Sequence, residues 1–254
     1  MKLRWSSLVG LVAYAAVSLA YAAEPGQPAV STEANEAIQQ MGKTLAQENI
    51  TFKAKTMRVY QDNDGDYLHI VHHMDVTAHR PDRISVTATG DDGTTVLIYD
   101  GKQVSALDAT DNKYAQVPMT GNLQQMLDEV SERVGIEFPL ADLMSSDPTK
   151  SFLTGVISGK EVDTDKIDGV PCRHFFFNQA DDLELELWLE DNDRALPRRF
   201  VVTYRNLPGR PTFIAELSDW DFSTQVSDTA FVFQPPAGVV QVEASSNAAP
   251  AAAR

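Results

Sequence analysis

The sequence predicts a mainly β, α+β fold, a strongly curved antiparallel sheet of about eleven strands with few helices. Three observations carry this. From Ile50 onward apolar and polar residues alternate with period two, as strands with two unlike faces require. Pro-Asp and Asp-Gly pairs punctuate that alternation at hairpin spacing. Only two longer segments have helical period, each with one apolar stripe. So many twisted strands rarely stay flat, so the stripes have the concave face of the sheet as their partner.

Taken in order, Met1 to Ala22 reads as a secretory signal peptide. Lys2 and Arg4 form its charged start, Leu8 to Leu19 its apolar run, and Ala20 and Ala22 its small-residue cleavage site. The run is shorter than the ~20 residues of a membrane span. Residues 23–30 form a Pro/Gly-containing linker. Ser31 is placed to cap a helix carrying Ala34, Ala37, Ile38, Met41 and Leu45 on one stripe. Strands are expected at Ile50 to Ala54 and onward to the Asp64-Gly65 hairpin, then at Tyr67 to Arg80, Ile84 to Ala88, Thr94 to Tyr99, Gln103 to Ala109 and Lys113 to Val117. A second helix follows, with Asn122 as cap, Gln125 three residues on, the stripe Leu123, Met126, Leu127, Val130 and Val134, and Gly135 as its stop. Ile136 to Leu153 is too apolar for an ordinary connection and reads as a short helix and loop packed as a cover. Strands resume at Val156 to Val162, Val170 to Asn178, Leu183 to Glu190, Leu196 to Tyr204 and Thr212 to Phe222, and Phe231-Val232-Phe233 is expected to close the sheet. Residues 244–254 form an Ala-rich tail, expected to be disordered. No repeat or low-complexity linker divides 31–243, which reads as one domain.

Composition narrows the function classes. The 254 residues carry 21 Lys+Arg against 36 Asp+Glu, a net charge of -15 that becomes -17 once Lys2 and Arg4 are removed with the signal peptide. Nucleic-acid binding needs clustered cations to displace counterions, so it is not expected. The single cysteine, Cys172, stands far from the apolar leader and cannot be a lipid-attachment site there. The expected mature protein is periplasmic, soluble and not lipidated. One cysteine also forms no internal disulfide, so stability must come from the core. In its strand context Cys172 reads as a small buried hydrophobe, and His174 is the one neighbouring base a nucleophilic role would use.

A set of motifs carries a resemblance. Arg80-Pro81-Asp82-Arg83, Tyr99-Asp100-Gly101-Lys102, Leu140-Ala141-Asp142-Leu143, Gly169-Val170-Pro171-Cys172, Leu187-Trp188-Leu189-Glu190-Asp191 and Phe233-Gln234-Pro235-Pro236-Ala237-Gly238 are distinctive together rather than singly. Over most of residues 31–240 the chain resembles an uncharacterised family of predicted periplasmic proteins within the lipoprotein-localisation-factor (LolA/LolB-like) superfamily. The resemblance implies a half-barrel wrapped over helices, with an apolar cavity that in better-known relatives holds acyl chains. It also implies, for the dedicated carrier chaperone, a buried arginine that holds a helical lid shut, a role the motifs assign to no residue here.

No catalytic motif stands out. His69, His72, His73 and His79 crowd one strand, but His69 and His73 are roughly 13 Å apart on one face and His72 points from the other. No metal site is expected from them. Asp62-Asn63-Asp64-Gly65-Asp66 lacks the glycine and glutamate positions of an EF-hand and reads as a hairpin turn. Arg194, Arg198, Arg199, Arg205 and Arg210 form a cationic cluster, read either as contacts to a phosphate or membrane surface or as partners for nearby carboxylates.

The expected function is therefore a binding or carrier protein for a lipid or acyl chain, with no cofactor and no covalent catalysis. Phe175, Phe177, Leu183, Leu185, Leu187 and Phe213 are the candidate cavity wall, and Leu127, Val130, Phe138, Leu143 and Met144 the candidate cover. Partners expected are a hydrophobic small molecule or lipid, and envelope proteins or a membrane surface. The alternative is a non-catalytic structural or interaction module of the cell envelope, its concave face filled by its own helices. An enzyme ranks third.

Overall fold

The computed structural model describes residues 29–134, 138 and 140–244. The expected signal peptide, linker residues 23–28, the helix stop at Gly135 and tail residues 245–254 lie outside the described residues. The chain forms one sheet of twelve strands that stays open: β12-β6-β5-β4-β3-β2-β1-β11-β10-β9-β8-β7. In chain order the strands are β1 (Asn49–Gln61), β2 (Tyr67–His79), β3 (Arg83–Gly90), β4 (Gly93–Tyr99), β5 (Gln103–Asp108), β6 (Lys113–Pro118), β7 (Val156–Ile167), β8 (Val170–Gln179), β9 (Leu183–Glu190), β10 (Pro197–Tyr204), β11 (Thr212–Asp221) and β12 (Val240–Gln241). Every pairing is antiparallel except β12 on β6.

The central hairpin sets the frame. β1 and β2 pair without interruption from Asn49 opposite His79 to Gln61 opposite Tyr67. In its turn the Asp62 carboxylate accepts from the amides of Asp64 (3.0 Å) and Asp66 (2.9 Å), as expected of a hairpin rather than a calcium loop. Register shifts interrupt β1 against β11, β9 against β10, and β7 against β8. Such bulges bend the strand that carries them, and three pairings with bulges curl the sheet around its helices.

The helices lie on the concave side. α1 (Thr32–Leu45) begins at Ser31, whose hydroxyl accepts from the Ala34 amide at 3.2 Å, and it buries Ala34, Ala37, Ile38, Met41 and Leu45. α2 (Leu123–Val134) begins with a reciprocal capping box: the Gln125 amide donates to Asn122 Oδ1 and the Asn122 amide to Gln125 Oε1, both at 3.0 Å. The expected cover is two short helices, α3 (Ala141–Met144) and α4 (Pro148–Leu153), the latter capped by Asp147. Among the described residues no helix is long and apolar enough to cross a membrane.

One expected strand is not there. Asp228 to Phe231 forms a single 3-10 turn, and the closing strand is instead Val240–Gln241. Ser227 caps that turn, and Phe231 is buried beside His79 and under the Arg83 guanidinium. A three-residue apolar alternation cannot by itself distinguish an edge strand from one anchoring aromatic.

Candidate ligand cavity

Register across β11, β1, β2, β3 and β4 lays concave side chains in rows. Val76, Val86 and Leu97 lie opposite one another at the deep end. Next come Ala54, Met74, Ala88 and Thr95, then Thr56, His72 and Gly90, and at the hairpin end Phe213, Arg58 and Ile70. Val86, Leu97, Met74, Ala88, Ile70 and Phe213 form the apolar wall of a cavity of about 280 Å³. Leu127 and Val130 of α2 close it from above together with Phe138 and Leu140.

Thr56, Arg58, His72 and Asp92 reach the cavity toward the hairpin end, and Thr95 reaches it from the row of Met74 and Ala88. His72 Nε2 lies 2.5 Å from Asp92 Oδ1. The turn carrying Asp92 is fixed by Asp91, whose carboxylate accepts from the Val71 amide at 3.0 Å and whose own amide donates to the Val71 carbonyl at 3.1 Å. Gly90 makes this approach possible, since a Cβ there would fall 2.0 Å from the Val71 carbonyl oxygen. His69 and His73 stand on the opposite face of β2 and are exposed. Thus one histidine of the cluster, His72, belongs to the cavity.

The candidate residues divide into two groups. Phe213, Leu127, Val130 and Phe138 meet on the cavity wall. Phe175, Phe177, Leu185 and Leu187 are buried in the core of the other half of the concavity, with half-buried Leu183 packed against them. There α4 places Phe152 edge-on against Phe177, ring centres 5.2 Å apart, with Phe200 at 6.3 Å. Leu143 and Met144 on α3 are fully buried, but it is Leu140, just before them, that faces the cavity. The sheet therefore has a half filled by α1 and α4 and a half that is not filled.

Between the two halves sits Arg80, which sequence reasoning left without a role. Its side chain is 8% exposed and donates three hydrogen bonds to carbonyls. Nε reaches Ser145 at 3.0 Å, Nη2 reaches Leu143 at 3.0 Å, and Nη1 reaches Gln47 at 2.6 Å. It thereby ties the end of α3 to the chain leaving α1. Burial pushes the guanidinium down to about 10, still charged at neutral pH. The turn after it also holds α2, because the Pro81 carbonyl accepts from the Leu123 amide at 2.9 Å. On α3, burial and the Asp128 carboxylate raise the pKa of Asp142 above the usual aspartate value.

The remaining candidates are engaged elsewhere. Arg199 pairs with Glu216 at 2.7 Å, Arg205 and Arg210 with Glu184 at 3.0 and 3.2 Å, Arg198 lies 3.8 Å from Glu190, and Arg194 stacks on Phe222. Carboxylate pairing thus engages Arg198, Arg199, Arg205 and Arg210, and Arg194 packs on an aromatic ring instead. Cys172 is buried, its Sγ 3.4 Å from the Val170 carbonyl, and burial raises its pKa. His174 stacks on Trp188 and lies between Asp163 and Glu186, at 3.2 and 3.0 Å.

Comparison with known families decides the membership. The model of the family described as "Predicted periplasmic protein (DUF2092)" matches residues 34–244. The chain belongs to this family. No curated protein sequence matches the chain. Among solved structures, this DUF2092 chain is similar to the Mycobacterium tuberculosis lipoprotein LppX, with 15% identity, TM-score 0.47, and 76% of this chain and 97% of that one covered. It is similar to LprF from Mycobacterium bovis, with 14% identity, TM-score 0.47 and coverage of 75% and 94%. A LolA superfamily protein from Nitrosomonas europaea is also similar, with 10% identity, TM-score 0.38 and coverage of 77% and 97%.

Proposed function

We propose that this protein is a periplasmic binding or carrier protein for an apolar ligand, a lipid or acyl chain, held on the concave face without covalent catalysis. One observation carries the reading: α1 and α4 fill one half of the concave face, whereas under α2 the other half encloses about 280 Å³ between mostly apolar walls. Leaving such a surface unfilled forgoes contacts that packing normally makes. A ligand restores them, with each buried methylene contributing about 0.8 kcal/mol. On this reading the ligand wall is Phe213, Leu127, Val130 and Phe138, and Phe175, Phe177, Leu183, Leu185 and Leu187 support it from the core. Leu143 and Met144 act through the cover they anchor.

A second reading, a non-catalytic envelope module, is favoured by the helix-filled half around Phe152 and Phe177. Native mass spectrometry after purification without detergent separates the two. The carrier reading expects a mass increment of lipid size that is lost on delipidation and regained with added lipid. A protein that is bare at every stage, and stays bare with added lipid, supports the envelope module instead.

A further inference from the structure

Two concave rows change differently between β4 and the β6 edge of the sheet. The row of Met74, Ala88 and Thr95 runs on to Asp108 and Lys113 and becomes polar. The row of Val76, Val86 and Leu97 runs on to Ala106 and Ala115, so it stays apolar while its side chains shrink to methyl groups. Two alanines in register leave a gap there, a second pocket of about 20 Å³ whose described lining includes Ala106, Ala115 and Val117. Leu97 on the sheet and Val130 on α2 line both this pocket and the main cavity, so the small pocket continues the large one past that pair. On its β6 side stands Ala244, where β12 is held by the Val240 amide on the Asn112 carbonyl (3.0 Å) and the Val242 amide on the Tyr114 carbonyl (2.8 Å). A space of this size admits one small group and is too narrow for a ring or a branched end.

We propose that the pocket at Ala106 and Ala115 receives the methyl end of a straight alkyl chain lying in the main cavity, and so sets the chain length the protein prefers. This rests on the carrier reading above and names the ligand class, molecules with a long unbranched chain. From Phe213 on β11 to Leu97 on β4 is four strand steps, roughly 19 Å at about 4.8 Å each. Dodecanoate is shorter than that span and can shift within it, whereas hexadecanoate fills it and must place its end past Leu97 and Val130. Every methylene that enters adds its burial to the affinity, and a chain that stops short leaves the pocket without contacts.

The test is isothermal titration of dodecanoate, hexadecanoate and phytanate, a methyl-branched hexadecanoate, into the natural protein and Ala115→Leu, which fills the small pocket. The variant should bind hexadecanoate about tenfold more weakly, the effect of roughly one to two methylenes left unburied. Dodecanoate and phytanate should bind the variant and the natural protein alike, the first because it can shift and the second because its branches never enter. Ala106→Leu, titrated in the same way, provides an independent reading should Ala115→Leu fail to fold. Undiminished hexadecanoate binding by either folded variant, or an equal loss for dodecanoate or phytanate, overturns the chain-end assignment and leaves the carrier reading standing. Binding of none of the three by the natural protein overturns both.

Discussion

Arg80 shows how much a single side chain arranges. Its three donor bonds collect carbonyls from Gln47, Leu143 and Ser145, chain segments that pack together only in the folded state. Removing the donors strands buried acceptors, each costing about 1–3 kcal/mol, a larger effect than the loss of the charge itself. Arg80→Met should therefore lower stability by roughly 3 kcal/mol in urea denaturation, and hydrogen exchange should accelerate first in residues 141–145. Unchanged stability would mean that α3 is held by its apolar contacts alone. The sequence offered Arg80 only as the last residue of a strand and the start of the motif Arg80-Pro81-Asp82-Arg83, and nothing there foretold its burial, since arginines beside a turn are normally solvated. The burial of Leu143 and Met144, by contrast, was legible from their apolar context alone.

At the scale of elements, helix starts were readable because they are local chemistry. Ser31 with Ala34, and Asn122 with Gln125, are contacts within one turn of chain. Contacts between helices are not local, and Gly42 illustrates the difference. Propensity alone predicts that Gly42→Ala stabilises α1 by nearly 1 kcal/mol. In the fold, however, a Cβ at Gly42 would lie 1.9 Å from the Thr149 hydroxyl and 2.8 Å from the Thr149 amide nitrogen, so α4 would be forced off α1. Gly42→Ala should destabilise the protein by about 1–3 kcal/mol, the usual cost of overpacking. A rise in melting temperature would show that the two helices do not meet so closely. Phe231 failed in the sequence reading for the same reason, because its burial depends on His79 and Arg83, far away along the chain.

For the whole molecule, alternation along the strands told which side chains face inward, and the strand residues that line the cavity obey it. What alternation leaves open is which part of the concave face the helices cover. That depends on where α1 and α4 dock, and docking is decided by contacts such as Phe152 on Phe177 that join residues 25 apart in the chain. Leu185 and Leu187 therefore read as cavity wall but sit beneath helices, while Ala88 and Met74 drew no notice and face the space. The central claim is that the unfilled half binds the ligand and the filled half only supports it. Titration of a fluorescent fatty acid into Ala88→Phe and Leu187→Ala tests this most directly. Ala88→Phe fills the cavity and should cut affinity at least about tenfold with melting temperature preserved, whereas Leu187→Ala should cost about 2–5 kcal/mol of stability while the folded fraction binds normally. Undiminished binding by Ala88→Phe, or loss of binding by folded Leu187→Ala, would contradict it.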